Sequence, residues 1–465
     1  MNPRIVIAGV TSGSGKTTIT SGLMRLFKNS GINVQSFKAG PDYIDPSYHT
    51  IATGNFSRNL DTWMLGEELV KELLIKNSKD ADLSIIEGVM GLFDGKSGID
   101  EFGSTSHLAK ITNTPVILVV DTRSIARSVA AIVYGFMNYD PDLNVKGIIL
   151  NKVASPRHLK ILMDAIEPLG IEVVGHVMRN EALKMPERHL GLIPASEMEN
   201  LDSQLDFIAG ELAKTIDHKK LLEIASTAGE YNYPKEKAFN DASLNKFKNE
   251  KIKIAYAYDK AFSFYYHDSL DYLRHLGIEL IPVSPLKDKK LPDDISGFII
   301  GGGFPELFID QLGENKSFLE SIQGYHLKKL PILAECGGFM YLNKTITDFE
   351  DKTKTMASLI PGKTEMTKKL VSMGYRKAEL IENCIMGKKG NILTGHEFHY
   401  SRYIPSEKSE GLSAVNYIEG NVNDGYVKNN LFASFLHFHF AANIEAAEYF
   451  INSSLSFKKN QEDLK

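Results

Sequence analysis

The chain has 465 residues, 43% hydrophobic and 24% charged, and its net charge is −5 with both signs interspersed. That length calls for two or three domains, the composition excludes a disordered chain, and the charge balance excludes a basic face for nucleic acid. Only two cysteines occur, Cys336 and Cys384, so a disulfide framework is excluded and a reducing, cytoplasmic setting is expected.

From Met1 the chain enters a strand-like run directly, with no signal peptide expected. The apolar runs at 116–120 and 147–150 are strand-sized, so no membrane span is expected. Strands are predicted at 4–8, 34–38, 83–86, 116–120, 146–150 and 172–175, with helices at 17–28, 67–76, 125–136 and 156–167. Near-continuous apolar strands alternating with helices predict an α/β unit whose parallel sheet is buried on both faces.

The first strand runs into Gly9-Val10-Thr11-Ser12-Gly13-Ser14-Gly15-Lys16-Thr17-Thr18. Strand, glycine loop and helix in that order suit a phosphate site, because backbone N–H groups curl around the anion and the helix N-terminus adds positive potential. Gly13, Ser14, Gly15, Lys16, Thr17 and Thr18 are the expected ATP contacts, with Lys16 on the β/γ-phosphates and the Thr17 hydroxyl on Mg²⁺. Five residues separate Gly9 from Gly15, one more than the usual phosphate loop has.

Further candidates fall at strand ends, the ligand side of an open α/β sheet. Asp42, Tyr43 and Asp45 follow the second strand. Glu87 ends the third, and Asp94 lies just beyond it. Asp45 and Glu87 are expected beside Thr17 as metal ligands. Asp42, Tyr43 and Asp94 are expected towards the substrate, with ordinary turn chemistry as the alternative for Asp42 and Asp45. Asn151, after the 146–150 strand, is read as facing the adenine edge, or else as capping its turn.

Residues 1–217 form the expected ATP-binding domain, 218–251 a linker, 252–445 a second α/β domain and 446–465 a polar tail. In the second domain Pro331-Ile332-Leu333-Ala334-Glu335-Cys336-Gly337-Gly338-Phe339 reads as a buried strand turning sharply into a helix, the geometry of a nucleophile elbow. A helix N-terminus under Cys336 is expected to lower its pKa. His437, in Ser434-Phe435-Leu436-His437-Phe438-His439-Phe440, is the candidate base. Gly302, in the glycine run 301–303, and Gly337 are candidate oxyanion donors. Cys384 reads as structural, and the region after Glu350 as β-rich. The His437 and His439 pair lacks the companion ligands of a zinc site.

These residues carry a resemblance. The C-terminal half resembles a class I glutamine amidotransferase domain of flavodoxin-like fold, and the N-terminal half is similar to the dethiobiotin-synthetase group of phosphate-loop proteins. The motifs at 9–17, 39–46, 87–95 and 334–338 together resemble the cobyrinic acid a,c-diamide synthase family over essentially the whole chain. The resemblance implies glutamine hydrolysis at Cys336 with His437, and ATP- and Mg²⁺-dependent activation of the a- and c-carboxylates of cobyrinate through an acyl phosphate. A shielded path for ammonia is expected with it. Many such domains place a Glu two residues after the catalytic His; here that position is His439, so a Cys–His dyad is expected.

Nickel-sirohydrochlorin and hydrogenobyrinate a,c-diamide synthases share the motifs and remain alternatives. A regulatory phosphate-loop ATPase with a degenerate amidotransferase tail is the reading from another class, and the intact Cys336 and His437 argue against it. The expected partners are glutamine and cobyrinate or a related tetrapyrrole carboxylate, without nucleic acid or membrane; a homodimer is left open.

Overall fold

Runs such as RIVIAG and VILVVD have no polar face to offer water, so they are stable only as central strands with helices on both sides. The computed structural model describes residues 2–188, 191–192, 194–235, 237–406 and 413–463. Two units divide the chain, Met1–Lys237 and Ala238–Lys465.

In the first unit seven parallel strands, β1 (Arg4–Gly9), β2 (Val34–Ala39), β3 (Arg58–Leu60), β4 (Leu83–Glu87), β5 (Val116–Asp121), β6 (Val145–Val153) and β7 (Glu172–Met178), lie in the order β3-β2-β4-β1-β5-β6-β7. The sheet reverses direction beside β1, so its neighbours β4 and β5 flank the start of α1 (Lys16–Asn29). Ile5, Ile7, Ile19, Leu23, Phe27, Ile85 and Ile117 belong to one buried core. Helix α2 (Ile44–Thr53) occupies a stretch expected to be a turn. Pro46 tolerates the first helical turn and Asp45 is favoured there by the helix dipole, so the same residues that signal a turn also start a helix.

The expected linker begins instead with a helix, His218–Ser226, which buries Leu221, Ile224 and Ala225 in the core of this unit. Asp217 caps it by accepting from the Lys220 N–H at 2.9 Å. Arg4 then holds the following chain through the Gly229 carbonyl and the Tyr231 ring.

The second unit holds β8 (Lys253–Ala257), β9 (Glu279–Val283), β10 (Gly297–Ile300), β11 (Ile332–Glu335), β12 (Ser372–Leu380), β13 (Ile392–His399), β14 (Tyr426–Lys428), β15 (Leu431–Ser434) and β16 (His437–Phe438). Its main sheet runs β9-β8-β10-β11-β15-β14, with only β14 antiparallel. Two further sheets, of four and five strands, fill most of 343–438, as the β-rich reading predicts. The five-stranded one carries β12, β13 and β16.

The expected polar tail is a 19-residue helix, Ile444–Glu462. Ala447, Phe450, Ile451, Ser454 and Phe457 recur at helical spacing and are buried, while the lysines and glutamates that made the segment look polar occupy the other face. Phe450 is fully buried, so Phe450→Ala should destabilise the protein by about 3–5 kcal/mol, measured as a lower urea midpoint. An unchanged midpoint would mean that the helix contributes nothing to the core.

Candidate active sites

The first site is set by the turn from β1 into α1. Gly15 sits at φ 91° immediately before α1, a conformation that favours glycine, and a Cβ there would collide with the Asn151 carboxamide. Asn151 lines a concave surface with Gly15, Thr18, Arg179, Asn180 and Leu183. Its carboxamide is engaged with the protein: Nδ2 donates to the Ser14 carbonyl at 2.7 Å and Oδ1 accepts from the Lys152 N–H at 2.8 Å. The turn-capping alternative for Asn151 is thus what these bonds describe, and the side chain braces the loop. Lys16 Nζ donates to the Met90 carbonyl at 2.6 Å. Burial, followed by the Lys38 charge, lowers its pKa.

Thr17, Asp45 and Glu87 come together as expected from their places at strand and loop ends. The Thr17 hydroxyl donates to Glu87 Oε1 at 2.7 Å and stands 3.4 Å from Asp45 Oδ2. At the centre is a residue not assigned a role from sequence, Lys38, whose ammonium lies 2.6 Å from Asp45 Oδ2, 3.1 Å from Glu87 Oε1 and 3.0 Å from the Gly88 carbonyl. His49, also missed, places Nε2 2.5 Å from Glu87 Oε2 while Ser57 Oγ lies 3.4 Å from Nδ1. The available signals were a lysine inside the buried strand VQSFKA and the i, i+4 spacing that puts Asp45 and His49 on one helix face.

Against the upward push of burial, Lys38, His49 and Thr17 hold the Glu87 carboxyl far below the usual range. Burial and the neighbouring Asp42 push Asp45 upward. Lys38 is held charged, because the two carboxylates outweigh its own desolvation. The three oxygens of Thr17, Asp45 and Glu87 are hard donors, the set that suits a small divalent cation whose other ligands are phosphate and water. No group of three or more His, Cys, Asp or Glu side chains forms a metal site among the described residues. Asp42 and Asp94 both serve local turns here, accepting from the Ile44 N–H at 2.7 Å and the Gly91 N–H at 2.8 Å. Tyr43 lies half-buried at the start of α2.

In the second unit β11 ends at Glu335 and Cys336 caps the next helix, Gly337–Leu342, at φ 46° and ψ −103°. That positive φ is costly for a residue with a Cβ, and its persistence marks a turn that the surroundings enforce. Its N–H donates to the Ser434 carbonyl at 2.8 Å, so the elbow is tied to the strand leading to His437. The expected low thiol pKa is reversed. Burial, then Glu306, pushes the Cys336 thiol up despite the Gly337 N–H. A helix of six residues supplies too little field to offset desolvation.

Burial also lowers the His437 pKa to about 3 and raises that of Glu335. Burial thus favours the neutral imidazole, the form that can take up a proton. Its Nδ1 is 3.4 Å from Glu335 Oε2, a carboxylate that the reading of a bare dyad did not include. Gly302 backs the ring, since a Cβ there would collide with His437 Cε1. The Gly301 N–H donates to the Tyr265 hydroxyl at 2.7 Å, so that donor of the glycine run is already engaged. His439 stacks on Tyr266 at 5.7 Å and accepts from the Ala441 N–H, which accounts for it by packing. Cys384 accepts from the Met386 N–H in a turn, apart from these groups.

Beside this site Glu397 is 2.7 Å from the Arg376 guanidinium and also accepts from Ser372. Burial favours its neutral form, but His399, Ser372 and Arg376 hold its pKa down to about 2. A depressed carboxyl pKa contributes stability above its unfolded value and loses it as pH falls through the folded value. Glu397→Gln should therefore cost about 3 kcal/mol at pH 7, and the gap from the parent should close as pH drops from about 4.5 to 2. Urea titrations across that range check it; a gap independent of pH would show that charge is not its source.

Residues 5–193 match the model of the CobQ/CobB/MinD/ParA nucleotide binding domain, and residues 253–444 that of the CobB/CobQ-like glutamine amidotransferase domain. A protein of Caldanaerobacter subterraneus subsp. tengcongensis named cobyrinate a,c-diamide synthase is 44% identical over 97% of this chain and 98% of its own length. Proteins of the same name from Priestia megaterium and Listeria monocytogenes serotype 4b are 43% and 44% identical over 99% and 95% of this chain, and over 99% and 97% of their own lengths. With that identity along nearly its entire length and both domain types in the order its motifs present, the chain belongs to the cobyrinate a,c-diamide synthase family.

Proposed function

We propose that this protein uses ATP and glutamine to convert the a- and c-carboxylates of cobyrinate into amides. The observation that carries the reading is the similarity to full-length relatives of that name. It is supported by two sets of reactive groups on one chain, one around Lys16 and Glu87 and the other around Cys336 and His437.

At the glutamine site His437 takes the proton of the Cys336 thiol as sulfur attacks the carboxamide carbon. Backbone N–H groups of Gly302 and Gly337 hold the resulting oxyanion. The C–N bond breaks as His437 returns the proton to the leaving nitrogen, giving ammonia and a glutamyl thioester. Water, deprotonated by His437, then attacks the thioester; glutamate leaves and the thiol is restored. In the empty site burial disfavours both the thiolate and the imidazolium, so the proton stays on sulfur until glutamine is bound.

At the nucleotide site a substrate carboxylate oxygen attacks the γ-phosphorus, the bond to ADP breaks, and ammonia displaces phosphate from the acyl phosphate. The backbone of 13–17 cradles the phosphates, and Lys16 neutralises charge on the transferred group. Thr17, Asp45 and Glu87 would hold Mg²⁺, which when bound neutralises the phosphate oxygens. Lys38 and His49 keep Glu87 ionised, and Lys38 also holds Asp45 in place for that role. Asp42, Tyr43 and Asp94 lie in the segments that follow β2 and β4 and are proposed to face the substrate. Among the described residues no helix is long and apolar enough to cross a membrane.

Incubation with ATP, Mg²⁺, glutamine and either cobyrinate, nickel-sirohydrochlorin or hydrogenobyrinate, followed by mass measurement, tests the substrate. Two OH-to-NH₂ replacements on cobyrinate alone are expected; the same change on another tetrapyrrole alone would overturn the assignment. Cys336→Ala should abolish glutamine use and retain ammonia-driven amidation, whereas Lys16→Ala should lower both by at least about 100-fold. Full glutamine use by Cys336→Ala would remove the nucleophile assignment.

A further inference from the structure

We propose that Glu335, the residue immediately before the nucleophile, is the positioning residue for His437, fixing its imidazole so that Nε2 is the nitrogen offered to the Cys336 thiol. The proposal rests on the reading of Cys336 as the glutamine nucleophile and extends it to a third residue.

Glu335 and Ser434 are register partners on the parallel strands β11 and β15. Both strands end at the same edge, so the carboxylate of Glu335 and the segment that carries His437 meet there. Glu335 Oε2 lies 3.4 Å from Nδ1, and the two side chains are 12% and 4% exposed. Because the ring nitrogens diverge, a ring that presents Nδ1 to Glu335 directs Nε2 elsewhere. A carboxyl oxygen 3.4 Å from Nδ1 favours the tautomer with its proton on that nitrogen, which leaves Nε2 unprotonated and ready to receive one. Gly302 packs against Cε1, and the backbone of His437 pairs with His396 on β13, so the ring is restrained from both sides.

The neighbouring carboxylates have other partners. Glu397 is held by Arg376 and Ser372. Asp424 accepts from the Ser434 hydroxyl, the Phe435 N–H and the Tyr417 hydroxyl at 2.5, 2.9 and 3.0 Å. Two residues after His437 stands His439, stacked on Tyr266. Burial disfavours the ionised Glu335 in the resting site; when the thiol proton reaches His437 an imidazolium forms out of reach of bulk water, and that charge favours the ionised carboxyl as its counter-ion. Glu335 supplies a carboxyl group within 4 Å of it. The titratable groups whose charge acts on this imidazole from other elements are His399 and Glu397, both on β13.

The test uses the full chain with ATP, Mg²⁺ and cobyrinate, comparing the parent with Glu335→Gln and Glu335→Asp. Glu335→Gln keeps the shape and loses the charge. Its kcat with glutamine should fall at least about 100-fold, within the roughly 10⁴-fold that loss of the orienting carboxylate costs a Ser-His-Asp triad. KM for glutamine and the ammonia-driven rate should stay within about twofold of the parent, and Glu335→Asp should recover at least about tenfold of the loss. The pH dependence of Cys336 alkylation, followed on its own peptide so that Cys384 is counted separately, should shift in Glu335→Gln. An unchanged kcat and pH profile would overturn the proposal, as would a rise in KM alone, or a parallel fall in the ammonia-driven rate. Should Glu335→Gln fail to fold, Glu335→Ala carries the test: a loss confined to glutamine use supports the role, and parent activity rejects it. Cys336→Ala in the same assay separates the two ideas, since glutamine use by that variant would defeat the nucleophile reading whatever Glu335 does.

Discussion

Parallel strands buried on both faces must all leave the sheet at the same edge, and there the backbone loses its ladder partners and has to turn. In each unit the reactive groups gather at such an edge. Gly9 and Glu87 end the adjacent strands β1 and β4, and Lys38 lies near the end of β2 beside them. Glu335 ends β11 next to Ser434 at the end of β15. Turns at these edges leave N–H groups unpaired, and side chains from neighbouring strand ends converge without any strand having to bend. Substitutions in the strands therefore act on chemistry through the spacing of their ends.

What the two edges do with charge differs. The nucleotide site concentrates it: the buried Lys16, Lys38 and Glu87 lie with the half-buried Asp45, and the cluster holds together because acidic and basic groups stand within reach of one another. Such a site is prepared for phosphates and a cation, whose charges exceed those of the protein. His49 then fixes the oxygen of Glu87 that Lys38 and Thr17 leave available.

The glutamine site instead keeps its principal groups neutral at rest. Burial disfavours both the thiolate and the imidazolium, so in the proposed reaction the proton moves as the substrate carbonyl is attacked. A thiol kept protonated is also a poorer target for oxidants and stray electrophiles than an exposed thiolate. The strained φ of Cys336 belongs to the same enforced turn, held where burial leaves little solvent to stabilise a thiolate.

The strand–loop–helix order around Gly9 to Thr17, the elbow at Cys336 and the family resemblance were legible in the sequence, because each depends on residues adjacent in the chain. The same holds for most strand positions, where an unbroken β-branched run admits few alternatives. The helix at 444–462 and the continuation of the first core to Ser226 were not, since a polar composition conceals an apolar stripe until a partner surface is there to bury it. Lys38 and His49 escaped for a related reason: a buried lysine or histidine is explained only by the carboxylate it meets, and that carboxylate lies 49 or 38 residues away. Sequence by itself thus determined which groups are chemically capable, Lys16, Thr17, Glu87, Cys336 and His437 among them. Tertiary structure alone decided their protonation and their company, placing Glu335 beside His437 and raising the thiol that local sequence led one to expect lowered, because desolvation and long-range charge are properties of the folded surroundings and not of any short segment.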